Sequence, residues 1–306
     1  MLRRTILVLV SGFVIAGCGA SPSPSLSSSL PSTLSPAPSV EPTALPLSGL
    51  FDVGGGRKLH LECIGAGSPT IVIEVGNDDT IHGSWGAVFG PMAAVSRVCA
   101  YDRANTGRSD PAPGPRLISD LADDLFTVLQ VANVPGPYVF VGGSFGGNIV
   151  SIFAATHPEV VAGIVLVDST PANDDPAFDP LRINLTAEQY AAWSADQLTN
   201  GPPAWDSPNN IEHIDFPAGL AAELASVHAL PRVPTSVITA SRQDCEPGWP
   251  CEAIAASVAR LEAQWIAGNP NGTRVIVQSG HVMQREAPRS IVDATRLIVE
   301  AIRAGT

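Results

Sequence analysis

The stretch FVGGSFGGN, residues 140–148, places one serine between two pairs of glycines directly after an apolar run. The apolar residues 138–141 are typical of a short buried strand, and residues 149–156 are typical of a helix. Ser144 is therefore predicted to lie on a tight strand-to-helix turn. Such a turn lifts a side chain above the end of the sheet and next to the N-terminus of the following helix, where backbone amides favour negative charge.

The surrounding chain alternates strand and helix patterns, which indicates the fold class. Apolar, β-branched runs predict strands near residues 50–53, 58–64, 70–75, 97–101, 138–141, 163–167, 235–239 and 274–278. Helical patterns separate most of these runs, and a glycine-rich turn between the first two predicts a hairpin. The prediction is an α/β fold with a mostly parallel eight-stranded sheet, helices on both faces and an N-terminal antiparallel hairpin.

One connection is much longer than the others. Residues 169–234 separate two predicted strands, whereas most connections in compact domains have fewer than about 12 residues. This stretch is rich in proline and contains short helix-like pieces, among them residues 186–197. We therefore predict an inserted cap, or lid, at about residues 169–234.

The N-terminus has the pattern of an export signal. Residues 1–17, MLRRTILVLVSGFVIAG, combine two arginines with an apolar stretch that is too short to span a membrane. Residues 15–18, IAGC, resemble the bacterial lipobox, which implies that Cys18 becomes the lipidated first residue of the mature protein. An ordinary secretory signal followed by a chance cysteine is the alternative.

The next segment, residues 18–47, is rich in serine and proline and has a single charged side chain. This composition predicts an unfolded tether with a reach of about 30 Å, followed by a folded domain at residues 48–306. Loss of the leader removes Arg3 and Arg4 and changes the net charge from −12 to −14. A chain this acidic is a poor candidate for binding nucleic acid. From the leader and the lipobox resemblance, we expect an extracytoplasmic protein that is anchored to a membrane through Cys18.

A serine hydroxyl needs a neighbouring base to act as a nucleophile at neutral pH. Among the six histidines, His281 follows the last predicted strand and precedes the final helix, in the sequence QSGHVMQREAP. The other histidines lie in the hairpin, in a loop, at a helix end or in the predicted cap. We therefore predict that His281 is the general base for Ser144.

The third member of such a triad is an acid that orients the imidazole and stabilises its charged form. Asp244 follows the strand that precedes the strand of His281, which gives the chain order serine, acid, histidine. Asp168 is the rival because it directly follows the strand after the helix of Ser144, although an aspartate there can also simply cap the turn. The sequence favours Asp244 over Asp168.

Together these features resemble the α/β-hydrolase family over residues 48–306. The resemblance rests on the GGSFG elbow, the GRSD sequence at 107–110, the SGH turn and the order of serine, acid and histidine. It implies an oxyanion hole made by the backbone amide of Phe145, directly after the nucleophile, and by that of Asn77 in the loop after the third strand. Many relatives have His-Gly in that loop, whereas this chain has Gly76 followed by Asn77.

Four further cysteines, an even number in an exported chain, predict two disulfides. From the residues alone three pairings are open, and the spacing does not suit a metal site. The strand order of the resembled family implies that Cys63 lies beside Cys99. The resemblance therefore implies the pairs Cys63–Cys99 and Cys245–Cys251, the second of which would fasten the loop of Asp244.

The expected function is a serine hydrolase that cleaves a small-molecule carboxylic ester through an acyl-enzyme on Ser144, with no cofactor or metal. An amidase of the proline-aminopeptidase type could use the same triad, and it would need an acidic anchor for a free amino group. Glu212, Asp215 and Glu223 in the predicted cap are candidates for that anchor. A dehalogenase would need aspartate at position 144. A non-catalytic surface binding protein of the same fold is a further alternative.

Overall fold

The computed structural model of the protein describes residues 45–169, 186–189, 191, 203–216, 223, 227, 230–242 and 251–305. The predicted leader, nearly all of the predicted tether with Cys18, and the loop that holds Asp244 and Cys245 lie outside these residues.

Eight strands form one sheet in the order β1-β2-β4-β3-β5-β6-β7-β8. Their bounds are β1 Leu47–Gly54, β2 Arg57–Ile64, β3 Thr70–Glu74, β4 Val98–Tyr101, β5 Tyr138–Gly143, β6 Val161–Val167, β7 Thr235–Ala240 and β8 Gly272–Val277. β1 and β2 form an antiparallel hairpin, and β2 is antiparallel to β4. The remaining six strands, in the order β4-β3-β5-β6-β7-β8, are parallel to one another. The predicted fold class is confirmed.

Helices cover both faces of this sheet. The described α-helices are α1 Gly86–Met92, α2 Ile118–Val131, α3 Phe145–Thr156, α4 Cys251–Ala267, α5 Met283–Glu286 and α6 Pro288–Ala304. α2 and α3 pack in one apolar core, and α1 and α6 pack in a second core on the other face. β3 and β5 are buried along their whole length, as expected for central strands covered on both sides. None of the described helices combines the length and apolarity needed to cross a bilayer.

The register between β2 and β4 places Cys63 directly opposite Cys99, and the two form a fully buried disulfide. Cys251 is also disulfide-bonded. Because Cys245 lies outside the described residues, its predicted pairing with Cys251 stays a prediction.

Residues 169–234, called the insertion below, join β6 to β7. Its described part 203–216 is attached to the start of α2, because the N–H of Arg116 donates to the carbonyl of His213 at 2.8 Å. The N–H of Asp215 returns a bond to the carbonyl of Arg116 at 2.8 Å. The carboxylate of Glu223 accepts a hydrogen bond from the N–H of Ile118 at 2.6 Å. Part of the insertion is therefore held on the domain by specific polar contacts.

Candidate active site

Ser144 lies between the last residue of β5 and the first residue of α3, with φ +50° and ψ −123°. A positive φ is unfavourable for a residue with a Cβ, and it persists only where the surroundings impose it. Those surroundings are backbone atoms. A Cβ at Gly142 would lie 2.7 Å from the Cα of Gly147, and one at Gly146 would lie 2.3 Å from the carbonyl oxygen of Glu74. The glycines are needed because α3 packs directly against the ends of β3 and β5.

The ring of His281 joins the serine to an aspartate. Its Nε2 lies 2.9 Å from the Oγ of Ser144, and its Nδ1 lies 2.7 Å from Oδ2 of Asp168. An ionised carboxylate can only accept a hydrogen bond, so we assign the ring proton to Nδ1. Nε2 then accepts from the serine hydroxyl, which is the arrangement that a general base requires.

The acid in contact with the histidine is Asp168, whereas the sequence favoured Asp244. Asp168 directly follows β6 with φ +46°, and its Oδ1 accepts a hydrogen bond from the N–H of Ala240 at 2.8 Å. Asp244 lies outside the described residues. Asp168, the rival candidate, therefore has the position of the triad acid among the described residues, which do not test Asp244. The missed signal is that β6 pairs with β5, so an aspartate at the end of β6 is next to the serine turn.

The loop of His281 is held by Glu286 in α5. The N–H of Gly280 donates to Oε2 of Glu286 at 2.9 Å, and this bond is the main reason why the pKa of Glu286 is lowered. Arg242 forms an ion pair with the same carboxylate. Gly280 has no positive φ, so the glycine is not needed for the turn itself. A Cβ at that position would lie 2.9 Å from Oε1 of Glu286, so glycine permits the close approach.

The residues of the two predicted oxyanion donors are both close to Ser144. Phe145 is the first residue of α3, so its N–H has no acceptor within the helix. Asn77 follows β3 and lines the same cavity as Ser144 and His281. Among the hydrogen bonds of the described residues, none uses the backbone N–H of Asn77. Within the described part of the chain, both backbone N–H groups are therefore candidates for the oxyanion hole.

A buried ion cluster lies behind the loop of Asn77. Arg103, Glu74 and Glu212 are almost completely inaccessible to solvent, and the Nη1 of Arg103 donates to Oε1 of Glu74 at 2.6 Å. Glu212, from the insertion, accepts from Nε of Arg103 at 2.6 Å and from Nη2 at 2.7 Å. Burial raises the pKa of Glu74 to about 7, against the opposing effect of Arg103. Neither Arg103 nor Glu74 is among the site residues predicted from the sequence.

A cavity of about 370 Å³ opens beside Ser144 and His281. That volume is at the lower end of the range for small-molecule pockets. Its lining combines the loop 76–78 with polar and apolar side chains, namely Asp79, Ser84, Trp85, Val167, Val282, Gln284 and Arg285. Gln284 donates to Ser84 at 2.6 Å, which joins α5 to the opposite wall. Within the described parts of the chain, no group of three or more His, Cys, Asp or Glu is arranged to hold a metal ion.

Comparison with known proteins agrees with this architecture. A family model for the alpha/beta hydrolase fold matches residues 69–209. "Putative carbamate hydrolase RutD" of Azorhizobium caulinodans is 34% identical over 160 residues, which cover 51% of this chain and 59% of that protein. The chain therefore spans less than two thirds of that relative.

Solved structures extend the likeness to most of the chain. A hydrolase from Pseudomonas aeruginosa superposes with a TM-score of 0.55 at 23% identity, covering 82% of this chain and 98% of the other. The enol-lactonase from Burkholderia xenovorans gives a TM-score of 0.52 at 17% identity, covering 82% and 99%. The sheet order, the family model and these structures together show that the chain has the alpha/beta-hydrolase fold.

Proposed function

We propose that the protein is a serine hydrolase that cleaves a carboxylic ester through an acyl-enzyme on Ser144. One observation carries the proposal: Ser144, His281 and Asp168 form a continuous chain of hydrogen bonds of 2.9 and 2.7 Å. These residues lie at the ends of three different segments and converge beside a cavity, which is the arrangement expected of a nucleophile, a base and an orienting acid.

The mechanism follows from the positions of these atoms. Nε2 of His281 accepts the hydroxyl proton as the Oγ of Ser144 attacks the ester carbonyl, and Asp168 stabilises the imidazolium that results. The imidazolium then donates the proton to the departing alkoxide, which leaves the acyl group on Ser144. A water molecule, deprotonated by the same ring, releases the acid and restores the serine.

The negative charge of each tetrahedral intermediate needs hydrogen-bond donors that are in place beforehand. The N–H groups of Phe145 and Asn77 supply them in this proposal, and the start of α3 adds the positive end of a helix dipole. Loss of one such donor typically costs about 3 kcal/mol of transition-state stabilisation.

Two observations favour an ester over a peptide with a free amino group. Glu212 is buried against Arg103, and Glu223 accepts hydrogen bonds from the start of α2, so both cap acids are engaged inside the protein. Asp215 also has a partner. In addition, one structurally similar protein carries the name enol-lactonase, and a lactone is a cyclic ester.

Covalent labelling tests the nucleophile directly. A fluorophosphonate probe should label the wild type and Ser84→Ala, a control serine in the same cavity, but should spare Ser144→Ala. Hydrolysis of p-nitrophenyl esters of graded length should be lost in the same variant. Persistent labelling of Ser144→Ala would remove Ser144 from the role. An unreactive wild type without turnover of any ester would instead favour a binding protein of this fold.

The leader pattern supports a second proposal, that the mature protein is an extracytoplasmic lipoprotein anchored at Cys18. The IAGC sequence at 15–18 and the serine- and proline-rich stretch that follows are its basis. Cells supplied with an alkynyl fatty acid should yield labelled wild type and labelled Ser21→Ala, a control in the tether. Cys18→Ser should carry no label and leave the membrane fraction. A membrane-bound, labelled Cys18→Ser protein would contradict the proposal.

A further inference from the structure

The loop Val75–Asp78, called the oxyanion loop below, is held from behind by two charged side chains. Arg103 donates from Nη1 to the carbonyl of Val75 at 2.8 Å and from Nη2 to the carbonyl of Gly76 at 2.6 Å. Oε1 of Glu212 accepts a hydrogen bond from the N–H of Asp78 at 2.8 Å. Three backbone groups on both sides of Asn77 are thereby fixed.

Arg103 can hold the loop because every one of its donors is used. Its remaining bonds run to Glu74 at 2.6 Å and to both oxygens of Glu212 at 2.6 and 2.7 Å, so its five N–H groups make five hydrogen bonds. The guanidinium is planar and rigid, and only 1% of Arg103 is exposed. A carboxylate that binds it in two places therefore sets the orientation of the whole group.

The insertion also contacts the second oxyanion residue. The ring of Phe216 packs edge-on against Phe145 with the centroids 5.4 Å apart, and the guanidinium of Arg103 lies 6.0 Å from the centre of the Phe145 ring. Glu212 and Phe216 belong to the same described segment, 203–216. Segment 203–216 thus contacts Arg103, which holds the loop of Asn77, and also contacts Phe145 directly.

The composition of the cluster is poorly suited to a purely stabilising role. It buries two carboxyl groups with one cation, and burial raises the pKa of Glu74 to about 7, which indicates that a second negative charge is unfavourable there. A single carboxylate would neutralise Arg103. The second carboxylate, Glu212, adds the bond to the N–H of Asp78, which no other described side chain makes.

We propose that Glu212 is a positioning residue that acts through Arg103 to hold the N–H of Asn77 in place for the oxyanion, so that the insertion is part of the catalytic apparatus. The inference rests on the proposed function. It predicts that disturbing Glu212 weakens transition-state stabilisation and leaves substrate binding nearly unchanged, since Glu212 itself is fully buried.

The test compares Glu212→Gln with Glu223→Gln. Glutamine keeps the size of glutamate but places an amide NH₂ against either Arg103 or the N–H of Asp78. The control removes a charge from the same insertion, where the carboxylate supports α2 and not the oxyanion loop. With a p-nitrophenyl ester, Glu212→Gln should lower kcat about 100-fold with KM within threefold of wild type. Glu223→Gln should keep kcat within threefold.

A trifluoromethyl ketone gives a second measurement, because it forms a tetrahedral oxyanion on the serine. Its Ki should rise by the same factor by which kcat/KM falls in Glu212→Gln, and should stay within threefold of wild type in Glu223→Gln. Arg103→Lys should show the same pattern as Glu212→Gln, because the three N–H donors of an ammonium group cannot replace the five hydrogen bonds that the planar guanidinium makes.

Equal losses of kcat in both glutamine variants, in proportion to their melting temperatures, would overturn the inference. A raised KM with unchanged kcat in Glu212→Gln would overturn it as well, because Glu212 would then act in binding. Neither result affects the role of Ser144, which depends on the labelling of Ser144→Ala. A wild type that hydrolyses no ester and resists the fluorophosphonate would refute the proposed function itself.

Discussion

Replacement of Asp168 by asparagine tests which acid serves the histidine. The carboxylate of Asp168 accepts from Nδ1 of His281 through Oδ2 and from the N–H of Ala240 through Oδ1. An amide has one acceptor and one donor end, so it cannot serve both partners. If its oxygen stays on Ala240, its NH₂ faces Nδ1 and forces the ring proton onto Nε2. The ring then cannot accept the proton of Ser144.

The expected loss can be bounded from these two orientations. The wrong tautomer costs roughly 10⁴-fold in kcat when an orienting aspartate becomes asparagine in a serine protease, or about 5.4 kcal/mol. The flipped amide restores the tautomer but leaves the buried N–H of Ala240 facing an NH₂, at a cost of about 1–3 kcal/mol. It also replaces a charged acceptor by a neutral one, which costs about 1–2 kcal/mol more. Because each tenfold change corresponds to about 1.4 kcal/mol, we expect kcat to fall between about 30-fold and 10⁴-fold.

The assay is hydrolysis of a p-nitrophenyl ester from pH 6 to 9, with melting temperatures measured in parallel. Asp244→Asn is the matched control, because it makes the same chemical change in the acid that the sequence favoured. It should retain kcat within about threefold of wild type. If Asp244→Asn loses more activity than Asp168→Asn while both remain folded, the assignment of Asp168 is refuted.

Three further predictions concern stability. The disulfide between Cys63 and Cys99 closes a separation of 36 residues. Replacing both cysteines by alanine should therefore lower the free energy of unfolding, measured in urea, by about 4 kcal/mol and the melting temperature by about 10 °C. An unchanged urea midpoint would contradict this. Because the pKa of Glu74 is raised from 4.5 to about 7, the folded state binds its proton more tightly, and stability falls as the pH rises through that interval. Between pH 4 and 8, the free energy of unfolding of the wild type should fall by about 3 kcal/mol more than that of Glu74→Gln, as measured in urea. If the free energies of both proteins depend on pH in the same way, the reasoning is refuted. Gly146→Ala would place a Cβ 2.3 Å from a backbone oxygen and should cost about 3 kcal/mol, whereas Gly86→Ala, with no atom within 4 Å, should change the melting temperature by less than about 2 °C; equal melting temperatures would show that the elbow can yield.

The sheet was predictable because each of its central strands is a contiguous run of mostly apolar residues. β3 has the sequence TIVIE and β5 has the sequence YVFVGG. In each, the consecutive apolar residues are enough to predict a buried strand. The serine turn was predictable for the same reason, since Gly142, Ser144 and Gly146 form one local pattern. His281 required only its place after β8, in the short connection before α6.

The choice of acid did not follow from local pattern. Asp168 and Asp244 both follow parallel strands, and either place can face a histidine at the carboxyl edge of the sheet. The positive φ of Asp168 and its bond to the N–H of Ala240, 72 residues away, direct its carboxylate to His281. Neither the positive φ nor this hydrogen bond can be predicted from the residues around position 168.

The sequence by itself determined the strand and helix pattern, the serine turn and the place of its histidine, because each depends on residues close together in the chain. The tertiary structure decided which aspartate meets the ring, and it joined Arg103 to Glu212 across 109 positions. The physical reason is that a charge can be buried only where the fold brings a charged or hydrogen-bonding partner to it. That partner can be distant in the sequence, so no local pattern predicts it.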